Sequence, residues 1–148
     1  MRYATLAIFA FVIFLNAHAS QNCVDLTGTY VQPSTDWEVS LTQRGYESLR
    51  IENPTCPNCK PAYYRADGIF RNDSGWSVPA ITASSFVDQE FVMTSIFTIS
   101  GPDGEQNYSS DRQTLSLDAK SDIVIHWQRW DDRGGQVVDQ TETWPRKR

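Results

Sequence analysis

From Asp25 onward the apolar positions recur every second residue, and turn residues interrupt the alternation at short intervals. That pattern predicts short, half-buried β-strands. A helix would need an apolar set at i, i+3, i+4 and i+7, and none recurs. Leu26, Gly28 and Tyr30 share one face of a first strand. Trp37, Val39 and Leu41 share one face of a second, with Glu38, Ser40 and Thr42 opposite. Gln43-Arg44-Gly45 is a tight hairpin signal, and Leu49 and Ile51 continue on a third strand. Tyr63-Tyr64-Arg65 and, past a turn at Ala66-Asp67-Gly68, Ile69-Phe70-Arg71 read as two more.

The second half keeps the rhythm. A strand over residues 76–86 is blurred by Pro79, which belongs at an edge or a bulge. Phe91, Met93, Ser95 and Phe97 follow, then a loop at 101–104, a strand over 113–117, and the alternating Ile123, Ile125 and Trp127. A turn at 131–135 leads into a last strand over 138–144. About eight or nine sequential strands with brief hairpins are best satisfied by closing on themselves, which removes exposed sheet edges. The expected fold is therefore all-β: a single up-and-down antiparallel meander barrel, with a two-sheet β-sandwich as the alternative. No internal repeat or linker divides the chain.

The alternation is absent from the first 19 residues. Arg2 precedes an apolar run at 4–15 with Thr5 its one polar member, and Ala17-His18-Ala19 supplies a small-x-small cleavage pattern. The run is shorter than the about 20 residues of a membrane helix and reads as a signal peptide cleaved near Ala19-Ser20. Residues 20–148 then form one exported β-barrel domain, periplasmic or secreted, with no membrane span in the mature chain. Lys plus Arg is 13 against 18 for Asp plus Glu, a formal charge of -5. That balance excludes a generic nucleic-acid binder, which needs cations for phosphates.

Export changes how the cysteines read. Cys23, Cys56 and Cys59 allow one disulfide in an oxidising compartment. A Cys56–Cys59 bridge would close a very small ring. A bridge from Cys23 to either loop cysteine would stabilise more, about 3–4 kcal/mol in the chain-entropy model, and is the favoured expectation. Redox chemistry would need the first cysteine of Cys56-Pro57-Asn58-Cys59 at a helix start, whereas prolines and strands flank it. Zinc would need four ligands, Cys23 and His126 joining the pair, with nothing to bring them together. No metal and no cofactor are expected.

Leu26-Thr27-Gly28-Thr29-Tyr30 resembles the first-strand Gly-x-Trp of the calycins (lipocalins, fatty-acid-binding proteins and avidins), with Tyr30 where those families usually place Trp. Cys23 upstream makes it most similar to the avidin opening. The resemblance covers the first strand only and implies a small meander barrel with a ligand in its mouth. Biotin, retinoid and fatty acid are not implied, because the later family motifs have no counterpart here.

No named catalytic mechanism fits. His126 shares the more polar strand face with Val124, Gln128 and Trp130, no Gly-x-Ser-x-Gly elbow occurs, and the carboxylates cluster in turns. The aromatic supply is the more informative signal, since inward aromatics in a small barrel either plug it or line a ligand cavity. Tyr30, Trp37, Phe97 and Trp127 are the candidate lining, with Arg112 as a strand arginine able to meet an acidic head group. The expected function is a non-enzymatic barrel binding a small apolar or amphipathic ligand or a protein partner. The alternative is a solid-barrel interaction or inhibitor protein using the stiff cysteine loop at 54–61, between Pro54 and Pro61, and a hydrolase ranks third.

Overall fold

The computed structural model describes residues 24–56, 58–73, 79–100 and 106–148. The expected signal peptide, Cys23, Trp76 and the 101–104 loop lie outside them. Ten strands form: β1 (Gly28–Gln32), β2 (Trp37–Arg44), β3 (Ser48–Glu52), β4 (Ala62–Arg65), β5 (Arg71–Asp73), β6 (Ala80–Val87), β7 (Glu90–Ser100), β8 (Gln106–Leu117), β9 (Ile123–Trp130) and β10 (Gln136–Trp144). They make two antiparallel sheets, one of four strands in the order β1-β2-β3-β4 and one of six in the order β10-β9-β8-β7-β6-β5. Every neighbour in each sheet is also a neighbour in sequence, so each sheet is a meander. Among the described residues no helix is long and apolar enough to cross a membrane.

The turns follow local chemistry. Gly45 takes φ 50° between β2 and β3, and Gly134 takes φ 77° between β9 and β10, a region open to glycine at little steric cost. Asp131 holds the second turn by accepting the backbone N–H groups of Arg133 at 3.0 Å and Gly135 at 2.7 Å. The Asp131-Asp132 pair thus begins with a turn-capping residue.

Alternation places Tyr30, Val39, Leu41, Leu49 and Ile51 on the inner face of the smaller sheet. They meet Phe91, Met93, Leu115 and Ile123 of the larger one in a single core. Val24 and Leu26, ahead of β1, cover one end of that core. Gln43 fastens this segment: its Oε1 accepts the Leu26 N–H at 3.0 Å and its Nε2 donates to the Val24 carbonyl at 2.8 Å. The amide thereby satisfies backbone groups that no strand partner serves.

Two seams tie the sheets. At one, the Val31 N–H donates to the Pro145 carbonyl at 3.0 Å and the Lys147 N–H to the Thr29 carbonyl at 2.7 Å, around a bridge between Tyr30 and Arg146. Arg146 lies over the Tyr30 ring and donates to the Thr27 carbonyl, and a Cβ at residue 28 would sit 2.8 Å from its Nε, so a larger residue there would push this side chain aside. At the other, Ser84 Oγ donates to the Arg65 carbonyl at 2.9 Å, and the Gly68 N–H donates to the Ser84 carbonyl.

Three expectations change. β8 begins at Gln106, not Gln113, because its polar first half is paired along its length with β7. Ile69 and Phe70 precede β5 and are exposed. The disulfide joins Cys56 to Cys59, so neither is free for the favoured bridge to Cys23, nor as a zinc thiolate. The turns set by Cys56 N–H to Asn53 carbonyl and Cys59 N–H to Cys56 carbonyl bring the two Cα atoms to 5.3 Å. Cys56→Ser should lower stability by about 2 kcal/mol or less, the chain-entropy value for so short a loop. Urea denaturation measures it, and a loss near 4 kcal/mol would mean that a much longer loop is closed.

Candidate functional site

The inner face of the six-stranded sheet is layered by register. Thr82, Ser95, Asp111 and Arg129 stand opposite one another across β6 to β9 and form a polar row. The adjacent row is Ser84, Met93, Gln113, Trp127 and Gln140. The next is Phe86, Phe91, Leu115, Ile125 and Glu142. From β6 to β9 polar character thus falls away along these rows, while β10 adds the exposed Gln140 and Glu142 at their edge.

The polar row is paired, and all of it but the half-buried Arg129 is buried. Asp111 is 1% exposed and accepts two hydrogen bonds from Arg129, Nε to Oδ1 at 2.7 Å and Nη2 to Oδ2 at 3.0 Å. Its Oδ2 also accepts the Trp127 indole N–H at 3.0 Å. The Arg129 guanidinium lies 4.9 Å from the Phe97 and Trp127 ring centroids, a cation–π arrangement. Hydrogen bonding to Asp111 holds Arg129 above its ordinary pKa, against the opposing pull of desolvation. Further along, Thr82 Oγ1 donates to Asp73 Oδ2 at 2.8 Å, which leaves Ser95 Oγ to donate to Thr82 at 2.8 Å. Burial, then Asp73, push the Tyr64 phenol up.

Beside this row lies an apolar cavity of about 180 Å³ between the two sheets. Val39, Leu41 and Ile51 wall it on one side, and Met93, Leu115 and Ile125 on the other. Tyr30 and Trp144 contribute rings, and Gln113 is its one amide. Gln113, Ile125 and Trp144 are shared with a second cavity of about 250 Å³, where Gln32, Trp127, Gln140 and Glu142 add a polar wall. A third, of about 180 Å³, lies between β4 and β5 and is polar, with Arg65, Arg71, Asp73 and Thr82 among its walls. There Arg71 is taken by Asp67 in two bonds of 2.7 and 2.6 Å, and that pairing holds the Asp67 carboxyl down at about 2.

The candidate residues scatter over this frame. Tyr30 lines the first cavity and Trp127 the second, while Phe97 is buried under Arg129. Trp37 has the expected face but stands at the strand end, 49% exposed, and lines none of the three cavities. Arg112 is exposed, one residue past the buried Asp111 and therefore on the opposite face, so it does not meet an internal head group. The charged pair of the interior is instead the buried Asp111 with the half-buried Arg129. Their signal was available as residues two strand positions from Gln113 and Trp127, but a polar stretch reads as exposed until its partners are known. His126 pairs with Asp139 at 2.6 Å on the face opposite Trp127, which lowers the Asp139 pKa. No protein-family model, curated protein or solved structure matches the chain.

Proposed function

We propose that the protein binds a small, largely apolar molecule between its two sheets, as an exported non-enzymatic carrier or sensor of that molecule. The observation that carries this reading is the apolar cavity of about 180 Å³ walled by side chains of both sheets. Close-packed interiors leave few voids larger than water, and about 150 Å³ is enough for one benzene molecule. The adjoining polar wall gives the cavity an amphipathic mouth. In this reading the sheets are halves of one up-and-down barrel with two seams, akin to the calycins. The sequential strand order and the contacts of Thr29 and Val31 with residues 145 and 147 support it. Export is supported by the N-terminal apolar segment and by the Cys56–Cys59 disulfide, a bond that persists in oxidising compartments.

Hexanol and benzene are suitable probes. A ligand bound only by the folded state stabilises by about 1.4 kcal/mol at ten times its Kd, which raises the melting temperature by roughly 4–6 °C. Leu41→Trp, which fills the cavity from β2, should remove the shift. A melting temperature indifferent to both probes in the unsubstituted protein would overturn the reading.

A further inference from the structure

We propose that the polar mouth is a cation site: the ligand's head group is an ammonium or quaternary amine held by the Glu142 carboxylate beside the Trp127 and Trp144 indoles. This rests on the binding reading above and names its ligand class. The three side chains wall one cavity of about 250 Å³, whose other polar members are the neutral amides of Gln32, Gln113 and Gln140. Register places them: Glu142 faces Ile125 across the β9–β10 pair, Trp144 is two residues along the same strand, and Trp127 is one diagonal step away. Diagonal partners on one sheet face are within reach of long and aromatic side chains.

Charge bookkeeping selects the sign. Of the cations around this wall, Arg146, two residues past Trp144, is engaged by the Thr27 carbonyl and the Tyr30 ring, while Arg129 is held in two bonds by Asp111, a pair that is neutral as a unit. An anionic head group would have to displace a buried carboxylate to reach it. Glu142 accepts only the Trp144 indole N–H, at 2.8 Å, and forms no ion pair with any described residue. Glu142 is exposed at this mouth, so that bond orients the carboxylate while only solvent balances its charge. Indole faces attract cations and repel anions; one face of Trp127 already carries the Arg129 guanidinium, and Trp144 is the second aromatic wall of the site. The apolar cavity shares Gln113, Ile125 and Trp144 with the mouth, so a short alkyl chain on the amine has a place to go.

The test uses three probes with one six-carbon chain: hexyltrimethylammonium, hexanol and hexanoate, titrated calorimetrically into the mature protein. Hexyltrimethylammonium is expected to bind at least tenfold tighter than hexanol, the factor that about 1.4 kcal/mol of charge and cation–π attraction supplies. Hexanoate should bind weakest. In Glu142→Gln, whose amide oxygen still accepts the Trp144 N–H, the ratio of cation to alcohol should fall to the part the indoles alone supply while the melting temperature stays put. Equal binding of cation and alcohol, or preference for hexanoate, would overturn the cation site and leave the cavity standing. Failure of all three to bind would overturn the cavity reading and the cation site with it.

Discussion

Asp111→Ala is expected to destabilise the protein by about 3–5 kcal/mol, because it leaves a guanidinium without its counter-ion inside the fold. Arg129 is 28% exposed, so some solvation remains and the lower end of that range is the expectation. The Trp127 indole N–H loses its acceptor in the same step. Asp111→Asn should cost nearly as much, since its amide has one acceptor oxygen for three donors and, whichever way it turns, sets its NH2 against at least one N–H of Arg129. The control is Asp111→Leu combined with Arg129→Met, which removes both charges and should lose less than either single change. Urea denaturation reads all four proteins. A loss under about 1 kcal/mol for Asp111→Ala would mean that the pair behaves as an exposed ion pair, and the polar row would lose its structural role.

Tyr30→Ala should cost a similar amount, about 3–5 kcal/mol, for a different reason. Tyr30 is fully buried, joins the core of both sheets, lies under Arg146 and donates its hydroxyl to the Leu26 carbonyl at 3.0 Å. Truncation opens a void that the backbone of β1, tied on one side to β2 and on the other to residues 145 and 147, cannot collapse to fill. Tyr30→Phe separates the hydroxyl from the ring and should cost only about 1–2 kcal/mol, the price of an unpaired carbonyl at Leu26. Burial pushes the Tyr30 phenol up, so it stays protonated and able to donate at neutral pH. Equal losses for Ala and Phe would place the whole contribution in the hydrogen bond and none in packing.

These two residues differ in how well the chain announced them. Tyr30 falls on an apolar alternation with Leu26 and Gly28, where period two and burial agree, and it lies where those residues predict. Asp111 sits in a run of polar residues, Asn107 to Arg112, that carries no hydrophobic period. It is buried because β8 is paired on both sides, to β7 and β9, and Arg129 arrives opposite it from β9. Arg112, its neighbour, was the more obvious charged candidate and faces outward for the same reason of alternation. Trp37 shows a further limit: its face was readable, but its place at the end of β2 exposes it, and strand ends are not encoded by period.

The cysteines make the point with covalent chemistry. Their number and setting predicted one disulfide among three possible pairings, and loop-closure entropy alone favoured the longer ring. The turn at Asn53 to Cys59 decided otherwise, since two backbone hydrogen bonds bring the Cα atoms of Cys56 and Cys59 to bonding distance.

By itself the sequence determined that this is a β-protein of sequential hairpins, with Tyr30 and Leu41 on apolar strand faces, because alternation and turn chemistry act between neighbours along the chain. The two-sheet division, the cavity between the sheets, the Asp111–Arg129 pair and the meeting of Glu142 with Trp127 and Trp144 were decided only by tertiary structure. Each depends on the register between strands. Register is a property of the assembled sheets, where a polar residue becomes buried once a partner satisfies it and stays exposed when none does.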